Sequence, residues 1–303
     1  MKNSNQKFGK VAVLMGGTSC EREISLMSGQ NVLEALLRRG IDAYAIDVGE
    51  NIIEQLQAQK PDRAFIVLHG KNGEDGVIQG ILEKLNIPYP GSGVTASALT
   101  MDKYRTKLVC QGQGLPVLPS ILLNETNLSI TQFDLPICVK PTDSGSSYGV
   151  TKITDISQLP KAYELAKQYG SEVMVEPWIE GREFDVGILG NEALPVVEII
   201  APKDTFYDYQ AKYFSDQTGY KCPCDLAEEE QQRIQNIALQ AFHATSCCDW
   251  ARVEFIQDKN GKFWLLEINT ITGLTTHSVV PMAAKHIGID FDELIVKVLA
   301  FSL

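Results

Sequence analysis

The chain has 303 residues, 44% of them hydrophobic and 21% charged, enough for two or three packed domains and too apolar for a disordered tail. Lys and Arg total 27 against 38 Asp and Glu, a formal net charge of -11, so no general attraction to nucleic acid or to an anionic membrane is expected. Any polyanion must be met by locally placed cations or a metal ion.

Seven cysteines, with no paired Cys-x-x-Cys knuckles, read as reduced thiols of a cytosolic protein. Met1 to Lys10 is polar and lacks a signal-peptide core, and no run of about 18 apolar residues occurs. A soluble, cytoplasmic protein is expected.

The first third alternates short apolar runs with amphipathic stretches. Val11-Ala-Val-Leu14 followed by Gly16-Gly17 reads as a buried strand entering a turn. A helix ending near Gly40, a strand from Ala43 to Val48, helical sequence around Ile52 to Gln59 and a strand from Ala64 to Leu68 follow. This βαβαβ order predicts a parallel sheet. His69-Gly-Lys-Asn-Gly-Glu-Asp-Gly76 precedes a helix built on Val77, Ile78, Ile81, Leu82 and Leu85, with Asp75 as its expected N-cap. Ile87-Pro88-Tyr89-Pro90-Gly91 breaks the pattern, so the first domain is expected to close near residue 100.

In the middle third the expected order is a helix from Asp102, a strand Ile137 to Lys140, a Gly/Ser-rich turn, a strand Gly149 to Ile153, a helix Ser157 to Tyr169 and a strand Glu172 to Glu176. The last third predicts strands at Glu183 to Leu189 and Ala193 to Ile199 and a long loop from Ala201 to Cys224. A helix from Leu226 to Ser246, a hairpin and two closing helices, His277 to Ile287 and Asp290 to Phe301, complete it. The long loop carries Tyr207, Tyr209, Tyr213 and Tyr220, and its length favours a lid over a self-packed loop.

The hairpin is the most informative segment. Centring a two-residue turn on Asn260-Gly261 places Glu254 opposite Glu267 and Arg252 opposite Asn269, all four on one face. The other face would carry Val253, Phe255, Leu266 and Ile268. Opposed carboxylates repel, at a cost of about 1 kcal/mol or less when solvated. A bound cation turns that cost into a site, and two carboxylates with an amide are hard oxygen donors suited to Mg²⁺. The plainer reading is a solvated face with Arg252 neutralising Glu254; four polar groups backed by an apolar stripe favour the site.

Lys140-Pro-Thr-Asp-Ser-Gly-Ser-Ser-Tyr-Gly149 follows an apolar strand and can bring backbone N–H groups to phosphate oxygens, although a polar turn reads equally well. It lacks the Gly-Lys-Ser/Thr of a Walker loop, and Gly16-Gly17 fails the dinucleotide fingerprint despite Asp47 at the end of the second strand. A nicotinamide enzyme is therefore disfavoured. His69 leaves the third parallel strand where open sheets bind ligands, and satisfying loop carbonyls is the even alternative. His243 and His286 lie on helices, and Glu228-Glu-Glu230 and Arg38-Arg39 read as solvated helix faces.

With these residues in place, the sequence resembles the D-alanine:D-alanine ligase family of the ATP-grasp superfamily along essentially its whole length. The blocks that carry the resemblance are Gly16-Gly-Thr-Ser-Cys-Glu-Arg-Glu-Ile-Ser25, His69-Gly-Lys-Asn-Gly-Glu-Asp-Gly76, Gly91-Ser-Gly-Val-Thr-Ala-Ser97, Met101-Asp-Lys103, Gly181-Arg-Glu-Phe184, Phe206-Tyr-Asp-Tyr-Gln-Ala-Lys-Tyr213 and His277-Ser-Val-Val-Pro-Met282. Their order and spacing are more specific than any one of them.

The resemblance implies an α/β, three-domain ATP-grasp architecture: an N-terminal parallel-sheet preATP-grasp domain (1–100), a central lobe (101–182) and a C-terminal lobe (183–303) with a lid loop (201–224). It implies ATP-dependent ligation of two D-alanines through an acylphosphate, for peptidoglycan precursors, with two Mg²⁺ or Mn²⁺ ions, in a homodimer. Glu254, Glu267 and Asn269 look like the metal ligands, and Arg252 and the N–H of Gly273 like oxyanion donors. Lys103, Lys140, Ser147 and Lys212 look like phosphate and nucleotide contacts, Glu176 and Ile179 like the adenine edge, and Glu183 like the ribose contact. Glu21, Ser278 and His69 would orient the substrates, with Ser146 and Tyr213 bonded to Glu21 to close the lid.

Tyr213, rather than the phenylalanine that accompanies D-lactate in related ligases, points to D-alanine as second substrate. Four positions depart from the family pattern: Glu254 for Asp, Ser144 for an acidic residue, Pro177 for Lys, and Ile271-Thr272 for a Ser-Pro-type pair. Another ATP-grasp carboxylate-amine ligase and a catalytically silent ligand-binding relative are the alternatives.

Overall fold

The computed structural model describes residues 7–125, 132–201, 218–275 and 278–303. The chain begins with β1 (Val11–Gly16), α1 (Arg22–Arg38), β2 (Ala43–Val48), α2 (Ile52–Gln59) and β3 (Arg63–Ile66), and the three strands form a parallel sheet ordered β2-β1-β3. β1 is buried on both faces, as its unbroken apolar run requires. Val11, Val13 and Met15 join one core with Val32, Ala35 and Leu36 of α1, while Ala12 and Leu14 join another with Ile52, Leu56, Ile78 and Leu82. Gly29 allows α1 to lie close on the sheet, because a Cβ there would stand 2.5 Å from Cβ of Met15.

α3 (Val77–Lys84) starts one residue later than expected. Its N-cap is Gly76 in the left-handed region, φ 92°, and Asp75 lies outside the helix while still accepting the Val77 N–H at 3.2 Å. α4 (Val94–Met101) is followed by α5 (Lys103–Gly112), which Asp102 caps by accepting the Arg105 N–H at 2.9 Å.

A second sheet, antiparallel, has the order β4-β7-β5-β6, from β4 (Ile121–Leu123), β5 (Ile137–Pro141), β6 (Thr151–Ile153) and β7 (Val173–Pro177). α6 (Leu159–Lys167) covers it through Leu159, Ala162, Tyr163 and Ala166. The third sheet runs β11-β10-β8-β12-β13, with β9 on the side of β8. It comprises β8 (Arg182–Leu189), β9 (Glu192–Ala193), β10 (Val197–Ile200), β11 (Gly219–Lys221), β12 (Trp250–Gln257) and β13 (Phe263–Asn269). α7 (Glu228–Ala244) buries Ile234, Ala238, Ala241 and Phe242 against Phe184, Val186, Val253 and Phe255. α8 (Val279–His286) and α9 (Phe291–Ala300) return to the first sheet, where Leu294 and Val298 share the core of Val11 and Val13.

The strand expected from Ala193 to Ile199 is two strands, because Pro195 between them has no N–H to give a ladder. β4 and β11 were not legible as strands; each is three residues long. The hairpin also departs from a two-residue turn. Gln257 pairs with Phe263, so five residues, Asp258 to Lys262, make the connection, and the register then shifts between Glu254 and Phe255. Leu266 is the extra residue of that bulge. The two irregularities cancel: Glu254 still faces Glu267 and Arg252 faces Asn269. Leu266 does not join the apolar face as expected; Leu265 takes that place in the core with Val253, Phe255 and Ile268.

Candidate active site

A cleft between the second and third sheets gathers most of the cationic and acidic residues singled out in the sequence. Its walls include Lys103, Lys140, Ser147, Glu176, Ile179 and Glu183 on one part, and Glu254, Leu266 and Glu267 on another, with Pro177, Trp178 and Ile256 as apolar surface.

On the third sheet, β8 and β12 alternate so that Phe184, Val186, Val253 and Phe255 enter the core while Asp185, Arg252 and Glu254 face the other way. Arg252 donates to Asp185 Oδ2 at 2.8 Å and to Glu254 Oε1 at 2.5 Å, and Asn269 Nδ2 donates to the same Glu254 oxygen at 3.0 Å. Lys103 Nζ lies 3.0 Å from Glu267 Oε2 and donates to the Ser144 carbonyl at 2.8 Å. Among the described residues, each carboxylate of the opposed pair thus has a cation beside it. Asp185, only 1% exposed, was missed in the sequence; the alternation Glu183, Asp185 against Phe184, Val186 was its signal.

On the second sheet, Lys140 of β5 and Glu176 of β7 point into the cleft, their ends 2.6 Å apart. The other Glu176 oxygen accepts from Lys107 Nζ, a lysine 2% exposed that sequence reasoning also missed. Its signal was the four-residue spacing from Lys103, which puts both on one face of α5. Burial alone would raise the Glu176 carboxyl, but Lys107 and Lys140 outweigh it and hold it down at about 2. Burial dominates at Lys107 and lowers it, whereas at Lys140 the Glu176 charge overcomes burial and raises it.

The loop after β5 carries Ser146 and Ser147 consecutively in the left-handed region, at φ 51° and 60°. Such backbone costs about 1–3 kcal/mol per residue and persists where its surroundings impose it. Here Ser146 Oγ donates to Glu21, which is 5% exposed at the start of α1. Glycines crowd that carboxylate: a Cβ on Gly70 would stand 2.8 Å, and one on Gly145 2.9 Å, from Glu21 Oε2.

His69 is buried beside this group, and burial lowers its pKa. Glu74, in the same loop, accepts the Gly70 N–H at 2.7 Å; burial and then Glu21 push it up to about 8. Ser278 caps no N–H of α8 and instead accepts from Thr275 N at 2.9 Å, and its Oγ would lie 3.0 Å from a Cβ on Gly273. Lys212 and Tyr213 fall outside the described residues, as does most of the expected lid, residues 202–217.

These sheets and this cleft define an ATP-grasp enzyme, with its parallel N-terminal sheet in front of the two antiparallel ones. Residues 110–300 match the family model "D-ala D-ala ligase C-terminus" and residues 47–92 match "D-ala D-ala ligase N-terminus". The chain is 52% identical over 295 residues to the D-alanine--D-alanine ligase of Alkalilimnicola ehrlichii, covering 96% of this chain and 94% of that one. It is 48% identical over 302 residues to D-alanine--D-alanine ligase B of Pseudomonas syringae pv. tomato, covering 98% and 94%. Its structure is similar to the D-alanine--D-alanine ligase of Bacillus anthracis, at TM-score 0.85 and 32% identity with 97% of each chain covered. The ATP complex of the Bacillus anthracis enzyme gives TM-score 0.83 at 29% identity, again over 97% of each chain. The chain belongs to the D-alanine--D-alanine ligase family.

Proposed function

We infer that the protein joins two molecules of D-alanine into D-alanyl-D-alanine in an ATP-dependent reaction, for peptidoglycan synthesis. The observation that carries this is about 50% identity to D-alanine--D-alanine ligases over nearly the whole chain. The cleft adds a physical rationale: ATP must meet a cationic wall while its transferring phosphate meets a metal-compatible one.

Lys103, Lys140 and Ser147 line the cleft where a polyphosphate would lie, Glu176 and Ile179 form the adenine edge and Glu183 the ribose contact. Lys212 would add a further cation. Glu254, Glu267 and Asn269 offer two carboxylates and an amide, and this donor set fits Mg²⁺, which takes few protein oxygens and keeps water or phosphate for the rest. Bound there, two Mg²⁺ ions would neutralise charge on the transferring phosphoryl group. Mn²⁺ fits the same hard donors.

One D-alanine carboxylate takes the phosphoryl group to give an acylphosphate, which the amine of the second D-alanine attacks with loss of phosphate. Arg252, held between Asp185 and Glu254, and the Gly273 N–H would stabilise the oxyanion. Glu21, Ser278 and His69 would orient the two substrates, with the bond from Ser146 fixing Glu21 and Tyr213 completing the closure. Water exclusion protects the acylphosphate, a role for the loop 201–224.

We further propose the division into 1–100, 101–182 and 183–303, a homodimer, and a cytoplasmic location; no helix among the described residues is long and apolar enough to cross a membrane. The test is ADP release with D-alanine, L-alanine or no amino acid, and product identification by mass. ADP without D-alanyl-D-alanine would indicate a different carboxylate-amine ligase, and nucleotide binding without turnover a silent relative.

A further inference from the structure

Lys107 has no part in the roles assigned so far, yet it is among the most buried charged side chains of the chain. It lies on α5, 2% exposed, and its ammonium bonds one oxygen of Glu176 while Lys140 bonds the other at 2.6 Å. Burying a lysine is costly unless an opposite charge meets it. One buried carboxylate therefore serves two ammonium groups, and the cluster keeps one unit of positive charge against the wall of the cleft.

We propose that Lys107 is a positioning residue for nucleotide binding: by occupying one oxygen of Glu176, it limits the grip of that carboxylate on Lys140 to a single oxygen and leaves Lys140 turned to the polyphosphate. The inference rests on the ATP-dependent reading of the cleft. Without Lys107, both Glu176 oxygens are open to Lys140. A bidentate hold would draw its ammonium off the cleft and leave the cluster neutral, weakening the attraction for an anionic nucleotide. Methionine replaces lysine with an apolar chain of similar length and leaves a balanced Lys140–Glu176 pair behind, so the fold loses no counter-charge.

The test is ATP and ADP binding by titration calorimetry, with steady-state kinetics, on the full-length wild type, Lys107→Met and the double variant Lys107→Met/Glu176→Gln. Lys107→Met is expected to raise the KM for ATP and the ADP dissociation constant roughly tenfold, with kcat at saturating ATP within about twofold. Glu176→Gln keeps an amide oxygen for the adenine edge but removes the negative charge, which frees Lys140 and restores the net positive charge, so the double variant is expected to bind ADP more tightly than the single one. A merely structural lysine would lower the active fraction, and so kcat per mole of chain, with the KM for ATP unchanged.

An unchanged ADP affinity in Lys107→Met, or a double variant no tighter than the single, would overturn the proposal. If the single variant does not fold, the double variant is compared with the wild type, whose cluster carries the same net charge: an ADP affinity within about threefold of wild type supports the proposal, since Lys140 is free of a bidentate hold in both, and a loss of about tenfold refutes it. Failure of the ligase reading shows separately, as wild-type ADP binding without D-alanyl-D-alanine as product.

Discussion

Glu254 and Glu267 stand opposite each other on neighbouring strands because a five-residue connection and a bulge at Leu266 offset one another. Near the turn the strands pair one residue out of step with the register at the site, and the extra residue restores it. The bulge also sends two consecutive side chains, Leu266 and Glu267, to the cleft.

That arrangement separates two adjacent leucines. Leu265 is fully buried in the core, whereas Leu266 lines the cleft. Leu265→Ala is expected to destabilise the protein by about 2–5 kcal/mol in denaturant titrations. Leu266→Ala should cost much less stability and instead raise the KM for ATP. Equal losses of stability from the two would contradict the bulge.

Asp185 anchors the guanidinium that Glu254 also holds. In Asp185→Asn one charge partner is lost while Glu254 still holds Arg252, so the aim proposed for it at the reacting carboxyl slackens. Turnover is expected to fall by roughly a hundredfold, the scale on which small misplacements act, with ADP affinity little altered. Partial recovery in Asp185→Glu would distinguish charge anchoring from packing.

Gly145 leaves room for the Glu21 carboxylate. Gly145→Ala places a methyl group 2.9 Å from Glu21 Oε2, closer than the two can stand, and should push Glu21 out of reach of Ser146. D-alanine dependence is the readout: the KM for D-alanine should rise several-fold while nucleotide binding holds. An unchanged KM for D-alanine would remove Glu21 from the substrate site.

Glu74 supplies a pH signature. Burial and the nearby Glu21 charge push its carboxyl up to about 8, above the ordinary carboxyl value of 4.5, so its share of stability is full below about pH 4.5 and is lost as pH rises toward about 8. Glu74→Gln should flatten that part of the profile, with the melting temperature falling less between pH 5 and pH 8 than in the wild type. Parallel profiles would mean that Glu74 ionises normally.

Much of this was legible in local sequence. The unbroken apolar run Val11-Ala-Val-Leu14 carries a parallel strand buried on both faces, and Asn260-Gly261 marks a hairpin whose partners at the site are those observed. The bulge was not legible, since it depends on how the core selects Leu265 over Leu266. Lys107 and Asp185 were missed because their partners, Glu176 and Arg252, are 69 and 67 residues away. Only the ion pair that joins α5 to β7, and the pairing of β8 beside β12, turn an ordinary helix lysine and a strand aspartate into parts of the cleft. The split at Pro195 was readable in principle, because proline interrupts a ladder wherever it falls inside one.

The most direct test is the amino-acid dependence of ADP release by the purified full-length protein, with the product weighed by mass spectrometry. ADP formed in step with D-alanine, absent with L-alanine, and matched mole for mole by D-alanyl-D-alanine is the expected result. ADP release that ignores D-alanine, or a product other than the D-alanine dipeptide, would contradict the account.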